Sequence, residues 1–197
     1  MSITDELYAF DNAYGILVAG MDEAGRGPLA GPVAAACCIP GPVMIDGVND
    51  SKKLSEQKRE ALYEKIVSSC MAYSVEFIDE KTIDDINILA ATKSAMEKCV
   101  KKLSIMPDIV LIDAVNGLDL PCRYESVIKA DAKSYAVACA SILAKVSRDR
   151  MMREYHLKYP GYGFAKHKGY GTAEHIAAIR KYGPCDIHRR TFIGKFI

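Results

Sequence analysis

Met21-Asp22-Glu23-Ala24-Gly25-Arg26-Gly27-Pro28-Leu29-Ala30-Gly31-Pro32 sets two adjacent carboxylates directly before a glycine turn, at the end of the apolar stretch 15–20. Glycine-punctuated apolar runs at 15–22 and 31–39 flank the turn. They are too short for independent helices and rich in Val, Ile and small residues, so they read as buried strands paired through residues 25–32. Glycines let a backbone approach a ligand where a Cβ would clash, and carboxylates bind hard divalent cations through oxygen. A strand that ends in acids and then in a glycine turn therefore suits a metal and a polar substrate; an ordinary turn with solvated acids is the bland alternative. Consecutive strand side chains point to opposite faces, so one of Asp22 and Glu23 is expected where the strand has ended or bent.

Working outward, Ser55 followed by residues 56–69 reads as a capped helix, 71–78 as a strand, and 82–103 as one helix with Ile86, Leu89, Met96, Val100 and Leu103 near a 3.6-residue spacing, stopped by Pro107. Residues 108–113 form a continuous apolar strand with acidic ends, 124–129 a short strand, and 134–158 the longest helix. The order β-β-α-β-α-β-β-α predicts an α/β fold, one domain over 1–197 built on a mixed five-stranded sheet flanked by helices, with no internal repeat and no interior linker.

Two further acids sit at element boundaries. The run Ile109-Val110-Leu111-Ile112 ends in Asp113, and Asp131 precedes the longest helix. Boundaries are where rigid scaffolds present functional residues. Asp22, Glu23, Asp113 and Asp131 are thus the candidate metal-binding cluster, with oxygen donors suited to a hard divalent ion. Repulsion among them is expected to raise at least one carboxylate pKa, so activity should climb with pH through the acidic range. Lys52 and Lys53 lie just before a helix start, where they could hold phosphate or simply be solvated. Lys145 could face the site while Arg148 pairs with a nearby acid. His167 and His188 could contact phosphate; neither has metal-ligand spacing to a second His or Cys, so no zinc site is expected.

Half of the 197 residues are apolar, enough for a full core. The seven cysteines are odd in number, form no C-x-x-C pair and lie mostly in apolar runs, which reads as reduced, buried thiols of a cytoplasmic protein. An acidic N-terminus and the lack of a run of ~20 apolar residues argue against a secretory signal or membrane span. Net charge is only +1, yet residues 166–197 carry seven Lys/Arg against two acids, leaving +5 there and −4 in residues 1–165. That asymmetry points to a polyanion near the C-terminal quarter.

Asp-Glu-Ala-Gly-Arg-Gly-Pro at 22–28, Asp-Ser-Lys-Lys-Leu-Ser at 50–55 and Ala-Ser-Ile-Leu-Ala-Lys-Val-Ser-Arg-Asp-Arg at 140–150, followed by Lys-His-Lys-Gly-Tyr-Gly-Thr at 166–172 and His-Arg-Arg-Thr-Phe at 188–192, resemble the type 2 ribonuclease H family, the bacterial ribonuclease HII above all. The resemblance runs in order from about Gly15 to about Phe192. It implies a ribonuclease H-like fold with a C-terminal helical extension from about residue 155. It also implies that Asp22, Glu23, Asp113 and Asp131 are catalytic and hold Mn²⁺ or Mg²⁺, two ions ~3.5 to 4 Å apart assisting phosphodiester hydrolysis, with cleavage of the RNA strand of RNA/DNA hybrids and incision 5′ to single ribonucleotides in duplex DNA, leaving 3′-hydroxyl and 5′-phosphate ends, as in ribonucleotide repair and primer removal. Gly25, Arg26 and Gly27 would meet the ribose 2′-hydroxyl, the group that tells RNA from DNA, and Tyr170 would stack under the sugar, with Tyr162 as the substitute. Ala130 stands where the family commonly has glycine. A monomer is expected. The tail 192–197 is apolar enough to dock on the domain or on a partner, but it lacks the glutamine and aromatic pair of a sliding-clamp peptide.

Three other readings fit parts of the sequence. A type 3 ribonuclease H usually carries an extra N-terminal domain and Glu at the position of Asp131. A nucleic-acid-binding module without catalysis suits the basic tail but not four acids. A nucleotide-binding fold lacks its phosphate-loop spacing.

Overall fold

The computed structural model describes residues 2–197. Five strands form one mixed sheet in the order β3-β2-β1-β4-β5: β1 (Val18–Ala24), β2 (Val33–Ile39), β3 (Ala72–Ile78), β4 (Ile109–Asp113) and β5 (Arg123–Val127). β1, β2 and β3 pair antiparallel, while β1, β4 and β5 run parallel, so β1 joins the two halves. The turn at 25–32 does connect β1 to β2, and the expected mixed five-stranded sheet flanked by helices is the architecture found.

Side-chain alternation divides the core. Met21, Ala35, Cys37, Val110 and Ile112 face α4 (Ile88–Lys102), whereas Ala36 and Cys38 face α2 (Glu56–Ser69) and the long helix α5 (Tyr135–Lys158). Every residue of β2 is buried. Helix α5 crosses directly under β1, and an added Cβ at Gly20 would lie 2.0 Å from the Ala136 carbonyl carbon. Ser134 caps α5 by accepting from Val137 N–H, and Ser55 caps α2 by accepting from Lys58 N–H.

Two helical features depart from the expectation. An N-terminal helix α1 (Ile3–Asn12) opens on a reciprocal Ser2–Asp5 cap, and its Asp11 Oδ2 accepts from Ala136 N–H at 2.7 Å, docking α1 on the first turn of α5. The single helix expected over 82–103 is instead α3 (Glu80–Ile86) and α4. Between them Asn87 takes φ 69°, and its Oδ1 accepts from Leu89 and Ala90 N–H. An Asx side chain that satisfies two amides and tolerates the left-handed region ends one helix and starts the next.

Beyond α5 the chain packs α6 (Phe164–His167), α7 (Ala173–Tyr182) and α8 (Arg190–Ile193) beside the β1–β2 turn. The apolar tail docks on the domain, with Phe192, Ile193 and Phe196 against Leu29 and Ile179. All seven cysteines are free thiols; Cys37, Cys38, Cys99 and Cys139 are buried, but Cys70, Cys122 and Cys185 lie at helix or loop edges and are only half-buried. Among the described residues no helix is long and apolar enough to cross a membrane.

Candidate active site

Parallel pairing of β1 with β4 brings their C-terminal ends to one edge. Met21 pairs with Ile112, so the residues that follow, Asp22 and Asp113, are neighbours. The C-terminal edge of parallel strands is where open α/β sheets bind ligands. Asp131 reaches the same edge from the one-turn helix Ala130–Ala132 between β5 and α5, where Ala130 N–H donates to Asp113 Oδ1 at 3.2 Å. Ala114, directly after Asp113, holds φ 48°.

The ladder to β2 continues through Ala24, so neither Asp22 nor Glu23 lies beyond the strand. This corrects the expectation of a break at these two residues: backbone pairing persists, and the acids keep to opposite faces of β1. They remain within electrostatic reach. Burial and the charges of Glu23 and Asp131 push Asp22 well above the usual carboxylate range; burial raises Glu23 too, with Asp113 adding to the effect and Arg26 opposing it.

Lys52, in the short helix Ser51–Lys53, places Nζ 3.0 Å from Asp131 Oδ2, and its charge also bears on Asp22 and Glu23. Arg59 braces that turn by donating to the Ser51 and Leu54 carbonyls. Lys53 is exposed, and among the described residues it forms no ion pair.

Among the described residues no three His, Cys, Asp or Glu side chains close into a metal-holding group. The four acids line one edge, with the Lys52 ammonium reaching into it. The donors nonetheless fit a hard divalent ion: all are carboxylate oxygens, Asp22 is buried, and Glu23 Oε2 is a buried oxygen without a partner.

The glycine turn sits beside this edge. Gly25 has φ 95°, and a Cβ there would lie 2.0 Å from Arg148 Nε, so the position requires glycine. A Cβ at Gly27 would be 3.9 Å from the Tyr170 ring, which is exposed in the loop between α6 and α7. Arg26, mostly exposed, pairs with Glu23 at 3.3 Å. The structure thus has Gly25, Arg26 and Gly27 following Glu23 directly and brings Tyr170 up to Gly27.

Tyr162 does not substitute for Tyr170: it stacks on Phe164 and donates to Gly183 O at 2.6 Å, a packing role. Among the described residues Arg148 pairs with no acid. It is 1% exposed and donates to the carbonyls of Pro32, Ala30 and Lys168. Lys145 instead pairs with Asp149 one turn along α5, at 2.7 Å. His167 and His188 are buried and bonded internally rather than offered to phosphate. Arg189 and Lys168, two of the basic residues of the C-terminal quarter, are likewise buried, so the surface there is less basic than the composition suggests. Sequence reasoning passed over His175 and Arg189 as individuals. Both lie in or beside quoted motifs, but nothing local marks a buried residue whose partners are 13 to 164 positions away.

The same architecture is found in the ribonuclease H2 of Pyrococcus horikoshii OT3, with a TM-score of 0.75 and 31% identity over 88% of this chain and 92% of that one. The ribonuclease HII of Archaeoglobus fulgidus, solved in complex with PCNA, matches with a TM-score of 0.74 and 26% identity over 88% and 94%. Fold and site define a hydrolase of the ribonuclease H class, an endonuclease. The family model for ribonuclease HII matches residues 19–195, and the Acetivibrio thermocellus ribonuclease HII is 56% identical over 182 residues, 92% of this chain and 71% of that protein. The chain belongs to the ribonuclease HII family, whose activity is directed at RNA/DNA hybrids.

Proposed function

We propose that this enzyme cuts the RNA strand of RNA/DNA hybrids and incises 5′ to single ribonucleotides embedded in duplex DNA, leaving 3′-hydroxyl and 5′-phosphate ends, with Mn²⁺ or Mg²⁺ held by Asp22, Glu23, Asp113 and Asp131. The observation that carries this reading is a glycine turn that follows Asp22 and Glu23 at the carboxylate edge and has an exposed tyrosine beside its Gly27. The Bst ribonuclease HIII, which shares the fold at 17% identity, has been solved with Mn²⁺. Divalent ions at this edge would supply an activated water and charge neutralisation at phosphorus. The chain's own residues do the rest. Among the described residues the Arg26 and Gly27 N–H groups donate to nothing else in the protein, so they are available to a ribose hydroxyl. Tyr170 offers a face to the sugar, and Lys52 an ammonium that can follow a phosphate. Cytoplasmic repair and replication of DNA supply substrates of this kind.

The test is cleavage of a labelled DNA duplex carrying one ribonucleotide, with Mg²⁺, with Mn²⁺ and with chelator, beside an all-DNA duplex and a continuous hybrid. Metal-dependent incision 5′ to the ribonucleotide, with the all-DNA duplex intact, is the expected result. Cutting of the continuous hybrid alone removes the single-ribonucleotide part of the proposal; tight binding without cutting removes the catalytic part.

The raised carboxylates also fix a pH dependence. Asp22 and Glu23 hold protons in the folded protein at pH values where the unfolded chain has lost them, so metal-free stability falls as pH rises from the usual carboxylate range through the raised values. Divalent ions compete with those protons, so both the cleavage rate and the metal-induced gain in Tm should grow across that window. Thermal melts from about pH 5 to about pH 8, with and without Mg²⁺, check this. A gain in Tm that does not change with pH contradicts the assignment of Asp22 and Glu23 as ligands.

A further inference from the structure

The adjacent residues His188 and Arg189 grip the two halves of the proposed ribonucleotide sensor separately. Arg189, fully buried and among the described residues without a carboxylate partner, donates to Gly25 O (2.6 Å), Arg26 O (2.9 Å) and Gly31 O (2.9 Å). Its five N–H donors in a rigid plane suit three carbonyls of a turn that no point charge could hold together. With these carbonyls drawn inward, the turn keeps its Arg26 and Gly27 N–H groups for a ligand.

His188 acts on the other half. His188 Nδ1 lies 2.9 Å from Cys185 N–H and 3.3 Å from Cys185 O; the shorter contact makes it an acceptor, and the protons along the chain follow from that. Cys185 N–H (2.9 Å) and the Cys185 thiol (3.1 Å) donate to His188 Nδ1; His188 Nε2–H donates to His175 Nε2 (3.1 Å); and His175 Nδ1–H donates to Tyr170 O (3.0 Å). Each ring is neutral in this chain, in keeping with burial that pulls both histidines down to about 4. The relay ends on the backbone of the sensing tyrosine.

The segment 187–189 is itself stitched to the turn, with Gly31 N–H on Ile187 O (2.8 Å), Arg189 N–H on Leu29 O (2.9 Å) and a bridge between His188 and Ala30. Among the described residues one backbone bond, Leu29 N–H to Gly169 O (2.8 Å), runs directly between the two sensor loops, beside Arg148, which donates to Ala30 O on one side and Lys168 O on the other.

We propose that His188 and Arg189 are positioning residues that hold the Gly25–Gly27 turn and the Tyr170 loop at one fixed spacing, and that this spacing sets the preference for a lone ribonucleotide over a continuous RNA strand; the proposal rests on the sensing role given to these loops above. A continuous hybrid offers a 2′-hydroxyl at every register, so a loosened sensor still finds one. A lone ribonucleotide offers a single register and must meet turn and tyrosine together. Misplacement of about 1 Å is enough to cost up to roughly 100-fold in rate.

Arg189→Lys keeps the charge but cannot reach three carbonyls; His188→Phe keeps the ring packed on Tyr162 and Phe164 but removes the relay. For variants that fold, by circular dichroism and Tm, kcat and KM are measured on the single-ribonucleotide duplex and on the continuous hybrid. The ratio of kcat/KM between the two should fall roughly 10- to 100-fold, with the loss on the lone ribonucleotide. Equal losses on both substrates, or none, overturn the proposal, as does failure of both variants to fold, which makes the pair purely structural; if only Arg189→Lys fails to fold, His188→Phe decides. The wild type in the same assay separates the two readings. If it does not incise at a lone ribonucleotide, the functional reading falls and this proposal with it; if it does and the variants keep its ratio, the positioning role alone is rejected.

Discussion

Asp113→Asn should cost about a thousandfold or more in cleavage while leaving the fold intact. The substitution removes one negative charge and one ionised oxygen from an edge whose catalytic value lies in gathering carboxylates around divalent ions, an effect of several kcal/mol at 1.36 kcal/mol per tenfold in rate. The structural contact survives, because an asparagine Oδ1 can still accept from Ala130 N–H, as Asp113 Oδ1 does at 3.2 Å. Stability should therefore change by no more than about 1 kcal/mol, the net worth of one hydrogen bond. Single-turnover cleavage of the labelled duplex, beside a thermal melt, checks both halves. Turnover equal to wild type would remove Asp113 from the site, and collapse of the fold would make the kinetic loss uninformative about metal.

Gly20→Ala should be strongly destabilising. The new Cβ would lie 2.0 Å from Ala136 C, 2.1 Å from Val137 N and 2.3 Å from Ala136 O. These are backbone atoms of the first turn of α5, pinned by Ser134 at its cap and by Asp11 on Ala136 N–H, so no rotamer change relieves the clash. Overpacking against backbone should cost about 3 kcal/mol or more. In a chain of this length that lowers Tm by roughly 6–12 °C. Gly27→Ala is the internal control: its nearest neighbour would be the Tyr170 ring at 3.9 Å, so stability should hold while substrate discrimination suffers. An unchanged Tm for Gly20→Ala would mean that β1 and α5 are not in the contact described.

Much of this was legible from short-range pattern. The Ser55 cap and the residues 56–69 gave α2 at its observed bounds, because capping and periodicity are properties of neighbouring residues. The break at Asn87 was missed because the apolar spacing of Ile86, Leu89 and Met96 runs through it, and only the Asn87 side chain taking two amides shows that the helix stops. The N-terminal helix carried its signal in the Ser2–Asp5 cap, but its reason for folding is remote: Asp11 reaches across to α5.

For the site, residue type and position at strand ends marked Asp22, Glu23, Asp113 and Asp131, since chemistry restricts which side chains can hold a hard cation. What those residues face was not legible. Arg148 read as one half of an ion pair and is instead the donor to three carbonyls, and His188 read as a phosphate contact and is instead a buried relay. An arginine or histidine presents the same letter in either role, and only burial against particular backbone groups chooses between them.

By itself, then, the sequence determined the order of the five strands, the acids at the element ends and the glycine turn that follows β1, because each depends on local pattern, sterics and donor chemistry. The tertiary structure alone decided that β1 lies parallel to β4, which brings Asp22 beside Asp113. It also decided that Lys52 reaches in among the acids, and that His188-Arg189 ties the glycine turn to the tyrosine loop. The pairings of Lys52 with Asp131 and of Arg189 with Gly25 join residues 79 and 164 positions apart, and they exist only because burying the two faces of one sheet brings distant segments to a common edge.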